Sequence, residues 1–215
     1  MNPCLVIFLG FLEHPSDPVP SGTRPGTGML RLRDKIETLH PTMPVDVFSW
    51  DTDPNFAVMT VLARKPDWIG LMCYSHGIYG ASRFQNVLSQ QDIGIRHFGA
   101  VAPVPYHPGN PLAPFFPTKQ KIVLSCDPEF LTTAREVNGG WGLPPMPWER
   151  EMFTGSATVL SQTSFGSRAN LDKWQPEGDR IEDAQISHVT IDDDPRVHSL
   201  MIRDFEVALE SGIAA

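Results

Sequence analysis

The chain has 215 residues, of which 41% are apolar and 20% charged, and it carries a formal net charge of −8 at pH 7. That length suits a single domain over residues 1–215 with a substantial core, and the apolar fraction excludes a disordered chain. The acidic balance, without any run of Lys or Arg, argues against nucleic acid and anionic membrane surfaces as partners, because phosphates are held by clustered cations.

In chain order, the first apolar run is residues 4–9, too short to span a bilayer and without a basic flank or a small-residue cleavage pattern. It reads as a core strand, and the expectation is a cytoplasmic protein with no integral membrane segment. Met29, Leu32, Ile36 and Leu39 then recur at helical spacing, followed by a strand at 45–50 and a second helical pattern through Val58, Val61 and Leu62. Strands follow at 69–74, 96–101 and 121–126, with a less regular one at 157–162; all are short, rich in β-branched and aromatic residues, and bounded by turn formers. Helices fit residues 78–88 and 195–209, the latter opening on Pro195 with Val197, Leu200, Met201, Phe205 and Ala208 as its apolar stripe.

Near-continuous apolar strands alternating with amphipathic helices predict an α/β fold, a mostly parallel, doubly wound sheet flanked by helices. Such sheets bind ligands beyond the carboxyl ends of their strands, here after Leu9, Trp50, Tyr74, Val101 and Cys126. Two stretches break the alternation: residues 103–117 with Phe115 and Phe116, and residues 138–148 with Trp141 and Trp148. Rich in proline and aromatics, they read either as cover for the sheet edge or as rigid walls of a substrate pocket. Cys4, Cys73 and Cys126 cannot all pair within one chain and lack zinc-site spacing; each lies in an apolar run and reads as a reduced core thiol, a reactive cysteine being the alternative.

The segment Ile69-Gly-Leu-Met-Cys-Tyr-Ser75-His-Gly-Ile-Tyr-Gly-Ala81 carries the chemistry. An apolar strand delivers Ser75 into a turn that opens a helix, with small residues on either side where strand and helix must cross closely. The turn exposes the hydroxyl, and the helix start aims free N–H groups at any oxyanion formed there. This run resembles the Gly-x-Ser-x-Gly nucleophile elbow of the α/β-hydrolases, with Tyr74 and His76 at the variable positions and Cys73 in place of the first glycine.

A serine hydroxyl needs a neighbouring base, and of seven histidines His188 sits in a loop before the last helix, where that superfamily places its general base. The sequence from His188 through Ile191 to an acidic cluster, Pro195 and the final helix also looks like the end of small esterases of this type. The orienting carboxylate is expected after a sheet strand: Asp127, directly beyond residues 121–126, is the first choice, with Asp172, Asp179 and Asp183 as alternatives nearer His188. The resemblance implies an oxyanion hole made by the N–H of His76 and one from the loop after the first strand, where Gly10 keeps the family pattern, Leu9 departs from it, and Phe11 or Leu12 supplies the donor.

Asp192, Asp193 and Asp194 with His188 and His198 allow a metal-site reading, but Asp194 and Pro195 as N-cap and first residue of the last helix account for them more simply. No metal and no cofactor are therefore expected. The resemblance implies a hydrolase of carboxylic esters acting through an acyl-enzyme on Ser75, on a small-molecule or lipid ester; only some twenty residues separate the fourth and fifth strands, which leaves no room for a large cap domain. A thioesterase or acyltransferase with the same three residues is the alternative within enzymes; a non-catalytic binding module is the alternative outside them, suggested by Cys73 and Leu9 at motif positions. The sequence sets neither the acyl and alcohol groups nor the oligomeric state.

Overall fold

The computed structural model describes residues 1–10, 13–17, 27–101, 120–125, 157–161, 180–182 and 191–213. They form a seven-stranded sheet: β1 (Pro3–Phe8), β2 (Val45–Phe48), β3 (Trp68–Tyr74), β4 (Ile95–Val101), β5 (Gln120–Ser125), β6 (Ala157–Ser161) and β7 (Arg180–Glu182). Their order across the sheet is β2-β1-β3-β4-β5-β6-β7, and every pairing is parallel. The doubly wound parallel sheet expected from the alternation is thus observed, with one strand beyond the six read from sequence. β7 has three residues, two of them charged, and offers no apolar run to detect.

Four helices are described: α1 (Gly28–Leu39), α2 (Pro54–Leu62), α3 (Gly77–Leu88) and α4 (Pro195–Ile213), the last preceded by a single 3-10 turn, Ile191–Asp193. Strand alternation divides the core by face. Leu5, Ile7, Leu9, Met72 and Tyr74 pack with Met29, Leu32 and Ile36 of α1 and with Val197, Met201 and Phe205 of α4. Val6, Phe8, Leu71 and Cys73 point the other way, toward Val58 and Val61 of α2 and Ile78 and Phe84 of α3. Because helices cover both faces, β3 is buried along its whole length, which is why the central strands lack polar alternation. Leu39, on the expected face of α1, proves more than half exposed: it is the last residue of its helix and overruns the core.

The start of α2 follows local rules. Asp53 accepts a hydrogen bond from Phe56 N–H at 2.9 Å, and Pro54 sits where a missing N–H costs nothing. Residues 102–119 alone connect β4 to β5, and 126–156 form the longest stretch between successive described strands or helices; neither is long enough for a cap domain with its own core. No helix among the described residues is long and apolar enough to cross a membrane.

The strand order reverses at β1. From it the chain passes through α1 to β2 on one side, then through α2 to β3 on the other, with α1 and α2 on opposite faces. Such a reversal opens a crevice between the carboxyl ends of the two inner strands. Here those ends deliver Gly10 and Ser75.

Candidate active site

Ser75 is the first residue after β3, and its backbone is left-handed, φ 50°. Only one other non-glycine residue among those described, Lys65, has a positive φ. The conformation costs a side-chain-bearing residue on the order of 1–2 kcal/mol, so surrounding bonds must hold it. They are present: Ser75 N–H donates to the Val101 carbonyl at 2.9 Å, extending the β3–β4 pairing by one residue, and Tyr79 N–H reaches back to the His76 carbonyl at 3.0 Å. Gly77 completes the turn. A Cβ at that position would run into the carbonyl oxygen of Phe8, so α3 can leave the sheet at this angle only over a glycine.

The first motif glycine is replaced by Cys73, whose side chain is fully buried among the apolar residues facing α2 and α3. Burial pushes this thiol well above its ordinary range, and Cys4 is pushed up to about 12 by burial and by neighbouring Asp46. Both are core residues, in keeping with the simpler reading of the cysteines; Cys126 lies outside the described residues.

His76 follows Ser75 as the residue before α3, and its ring turns away toward β2: the Trp50 ring meets it edge-on at 4.6 Å, and Tyr79 lies behind it at 6.0 Å between centroids. Arg83, one turn further along α3, stands over Tyr79. Trp50 was foreseen only as the end of a strand; the structure places it against the residue next to the nucleophile candidate. On the other side lies Gly10, where a Cβ would come within 2.8 Å of the Tyr74 ring and 3.4 Å of Ser75 Cβ.

Of the residues singled out from sequence, Ser75 and His76 stand together at this crevice with Gly10 and Gly77. His188, Asp127, Phe11, Leu12, Phe115, Phe116, Trp141 and Trp148 lie outside the described residues, as do Asp172, Asp179 and Asp183. Asp127 comes two residues after the carboxyl end of β5, Asp183 directly after that of β7, and His188 three residues before the 3-10 turn Ile191–Asp193.

The aspartates after His188 each have a separate partner. Asp192 is fully buried and accepts from Gly28 N–H at 2.9 Å, capping α1 rather than its own helix. Asp193 takes the Arg31 guanidinium at 2.8 and 2.9 Å. Asp194 behaves as expected for the N-cap of α4, accepting from Arg196 N–H at 2.8 Å. Sequence reasoning had placed Asp192 and Asp193 at the start of α4 alone. No cluster of metal-ligating side chains occurs among the described residues.

No protein-family model matches the chain, and no curated protein matches it. Among solved structures it is similar to the thioesterase domain of NocB, held in a covalent complex with a fluorophosphonate nocardicin G analog, at 13% identity and a TM-score of 0.44 over 97% of this chain and 95% of that one. It is also similar to the hypothetical protein PA1622 of Pseudomonas aeruginosa PAO1, at 10% identity and a TM-score of 0.39 over 95% of this chain and 89% of that one. At such distances the chemistry must be read from the geometry around Ser75.

Proposed function

We propose that the chain is a single-domain cytoplasmic serine hydrolase that cleaves carboxylic esters through an acyl-enzyme on Ser75. The observation that carries this reading is the left-handed serine placed directly after a central parallel strand, at the crevice where strand order reverses, with a helix starting behind it. A backbone held at such a cost points to a role beyond packing, although Ser75 is buried, 9% exposed, rather than open as the turn alone predicts.

In this mechanism Ser75 Oγ attacks the acyl carbonyl while His188 takes its proton and later delivers it to the leaving alcohol; water then repeats the sequence to free the acid. The N–H of His76 and that of Phe11 hold the oxyanion, and Asp127 orients His188. Chain connectivity supports these assignments. His188 is within three residues of Ile191, so their Cα atoms are no more than about 11 Å apart, and Ile191 belongs to the turn that packs on α1 beside the Gly10 segment. β5 stands two strand spacings from β3, roughly 10 Å, and Asp127 follows its carboxyl end by two residues in sequence. Phe115, Phe116, Trp141 and Trp148 wall the acyl pocket, with Trp50 on the β2 side.

The test is covalent labelling. A fluorophosphonate should modify Ser75, and Ser75→Ala should lose both labelling and ester hydrolysis, because an unactivated serine attacks phosphorus too slowly to register. Labelling at another serine, or full activity in Ser75→Ala, would end the proposal. Offering thiol or amine acceptors in the same assay separates a hydrolase from an acyltransferase using the same acyl-enzyme.

A further inference from the structure

Two carboxylates lie buried at the start of α1, and the hydrolytic scheme uses neither. Glu13 is 4% exposed and Asp192 fully buried. They take successive amide protons of one helix start: Gly28 N–H donates to Asp192 Oδ2 at 2.9 Å, and Met29 N–H to Glu13 Oε1 at 3.4 Å. Gly28 and Met29 are consecutive, so both buried carboxyl groups stand at the same helix start.

Glu13 has a second contact that reaches the active site. Its Oε2 accepts from Gly10 N–H at 3.1 Å, while its own N–H donates to the Gly10 carbonyl at 3.3 Å. Residues 10 and 13 are thereby locked to each other and, through the same carboxyl group, to α1. Gly10 lies against Ser75, so Glu13 ties to α1 the residue just before Phe11, the second oxyanion donor of the proposed scheme.

The charges around the pair leave it short of cations. Asp17 on the same segment and Asp193 beside Asp192 add negative charge. On α1, Arg31 is engaged bidentately by Asp193, and Lys35 donates to His198 Nδ1 at 2.7 Å. From α4, His198 faces Asp192 through its Nε2–H, which donates to the Asp192 carbonyl at 2.6 Å. Asp192 Oδ1 has no hydrogen-bond partner among the described residues. Two carboxylates buried at one helix start repel strongly in a low dielectric, which favours keeping a proton on one of them. Burial and the charge of Asp192 push Glu13 up to about 8, and burial pushes Asp192 up to about 7 against the pull of Gly28 N–H.

We infer that Glu13 is a positioning residue for the Ser75 site: it holds one proton in common with Asp192, and in that protonated state it keeps the Gly10 segment seated beside the serine. Loss of the proton leaves two anions facing each other, and the contact with α1 opens. The oxyanion donor then loses its aim, which lowers kcat more than it changes KM, because that donor acts on charge developed in the transition state. This role rests on Ser75 being the nucleophile, whereas the proton-sharing pair does not.

Glu13→Gln separates the possibilities. A carboxamide accepts from Gly10 N–H through its oxygen and donates to Asp192 from its nitrogen, giving up only the long Met29 N–H contact at 3.4 Å, and has no proton to release. Wild-type kcat should rise through the histidine ionisation near neutrality and then fall above pH about 8, approaching tenfold per pH unit, whereas Glu13→Gln should keep the rise and lose the fall. Glu13→Ala, with neither contact, should lose about 10²-fold in kcat at every pH with little change in KM. An alkaline fall that persists in Glu13→Gln, or wild-type kcat in Glu13→Ala, overturns the positioning role.

The pair is checked separately on an inactive background. Ser75→Ala should lose stability to urea relative to Ser75→Ala/Glu13→Gln as pH rises from 6 to 9. The sign follows from a carboxyl whose folded pKa is raised: its contribution is complete below the ordinary value near 4.5 and is lost as pH passes through about 8. Parallel stability curves for the two variants would overturn the pair itself, whatever becomes of the serine.

Discussion

Ser75 is buried in a left-handed conformation that its side chain opposes, and the cost is measurable without any substrate. Ser75→Gly and Ser75→Ala both remove the hydroxyl, but only glycine enters φ 50° freely. Ser75→Gly should therefore be more stable than Ser75→Ala by about 1 kcal/mol, read as the difference in urea unfolding free energy. Equal stabilities would mean that the turn imposes no strain and would remove the main structural reason for singling out this serine. The turn was legible in sequence because every signal is local: strand, Ser75, Gly77 and helix fall within a dozen residues. Glu13, Asp192 and Trp50 were not legible as a site, for a common physical reason. Each is an ordinary polar or aromatic residue whose significance lies in a partner brought near by the sheet order, Glu13 and Asp192 coming from opposite ends of the chain.

At the scale of elements, the contact between α1 and α4 organises the carboxyl rim. Gly28 has no side chain, and a Cβ there would overlap the Asp192 backbone, so the 3-10 turn seats directly on the start of α1. Arg31 and Lys35, one helical turn apart on α1, then grip Asp193 and His198. His198 accepts from Lys35 at Nδ1 and donates from Nε2, an arrangement only the neutral ring can satisfy. Burial, reinforced by the Lys35 charge, brings its pKa down to about 4 from the ordinary 6.5. A histidine held neutral in the fold contributes stability that is complete above pH 6.5 and lost as pH falls toward 4, about 3 kcal/mol at most.

Glu13 and Asp192 pull the opposite way in that window, so the effect is best read as a difference. The stability of His198→Gln should improve relative to wild type as pH is lowered from 7 to 4.5, and a constant offset between the two would show that His198 does not titrate as described. Sequence periodicity found α4 and its stripe through Val197, Met201 and Phe205, because an apolar face is written at fixed spacing. It gave the acidic residues at the helix start to α4 alone, since the identity of the partner helix is a tertiary fact. β7 escaped because a three-residue edge strand carries too little pattern to stand out from a turn.

For the whole molecule, the sheet order favours one of the proposed candidates for the orienting acid. All strands run parallel, so their carboxyl ends share the rim on which Ser75 stands. β7 begins at Arg180, so Asp179 precedes in sequence the strand end opposite the carboxyl rim. Asp183 follows in sequence the carboxyl end of β7, Glu182, but β7 stands four strand spacings from β3, roughly 19 Å. Asp127 leaves β5, two spacings away, on the side toward which the chain must return from β7 to reach Ile191. An imidazole hydrogen-bonded to Ser75 presents its other nitrogen only a few ångströms further along the rim, a span that a residue just beyond β5 can meet and one just beyond β7 can meet only by folding back across β6. Asp127→Asn should accordingly leave folding intact and lower kcat by up to about 10⁴-fold, the effect of presenting the wrong histidine tautomer, with KM little changed. The same substitution at Asp172, Asp179 or Asp183 should cost far less. If Asp183→Asn proves the crippling change and Asp127→Asn is silent, the acid belongs to the strand that sequence patterning overlooked, and the His188 segment must approach Ser75 from the β7 edge rather than from above β5.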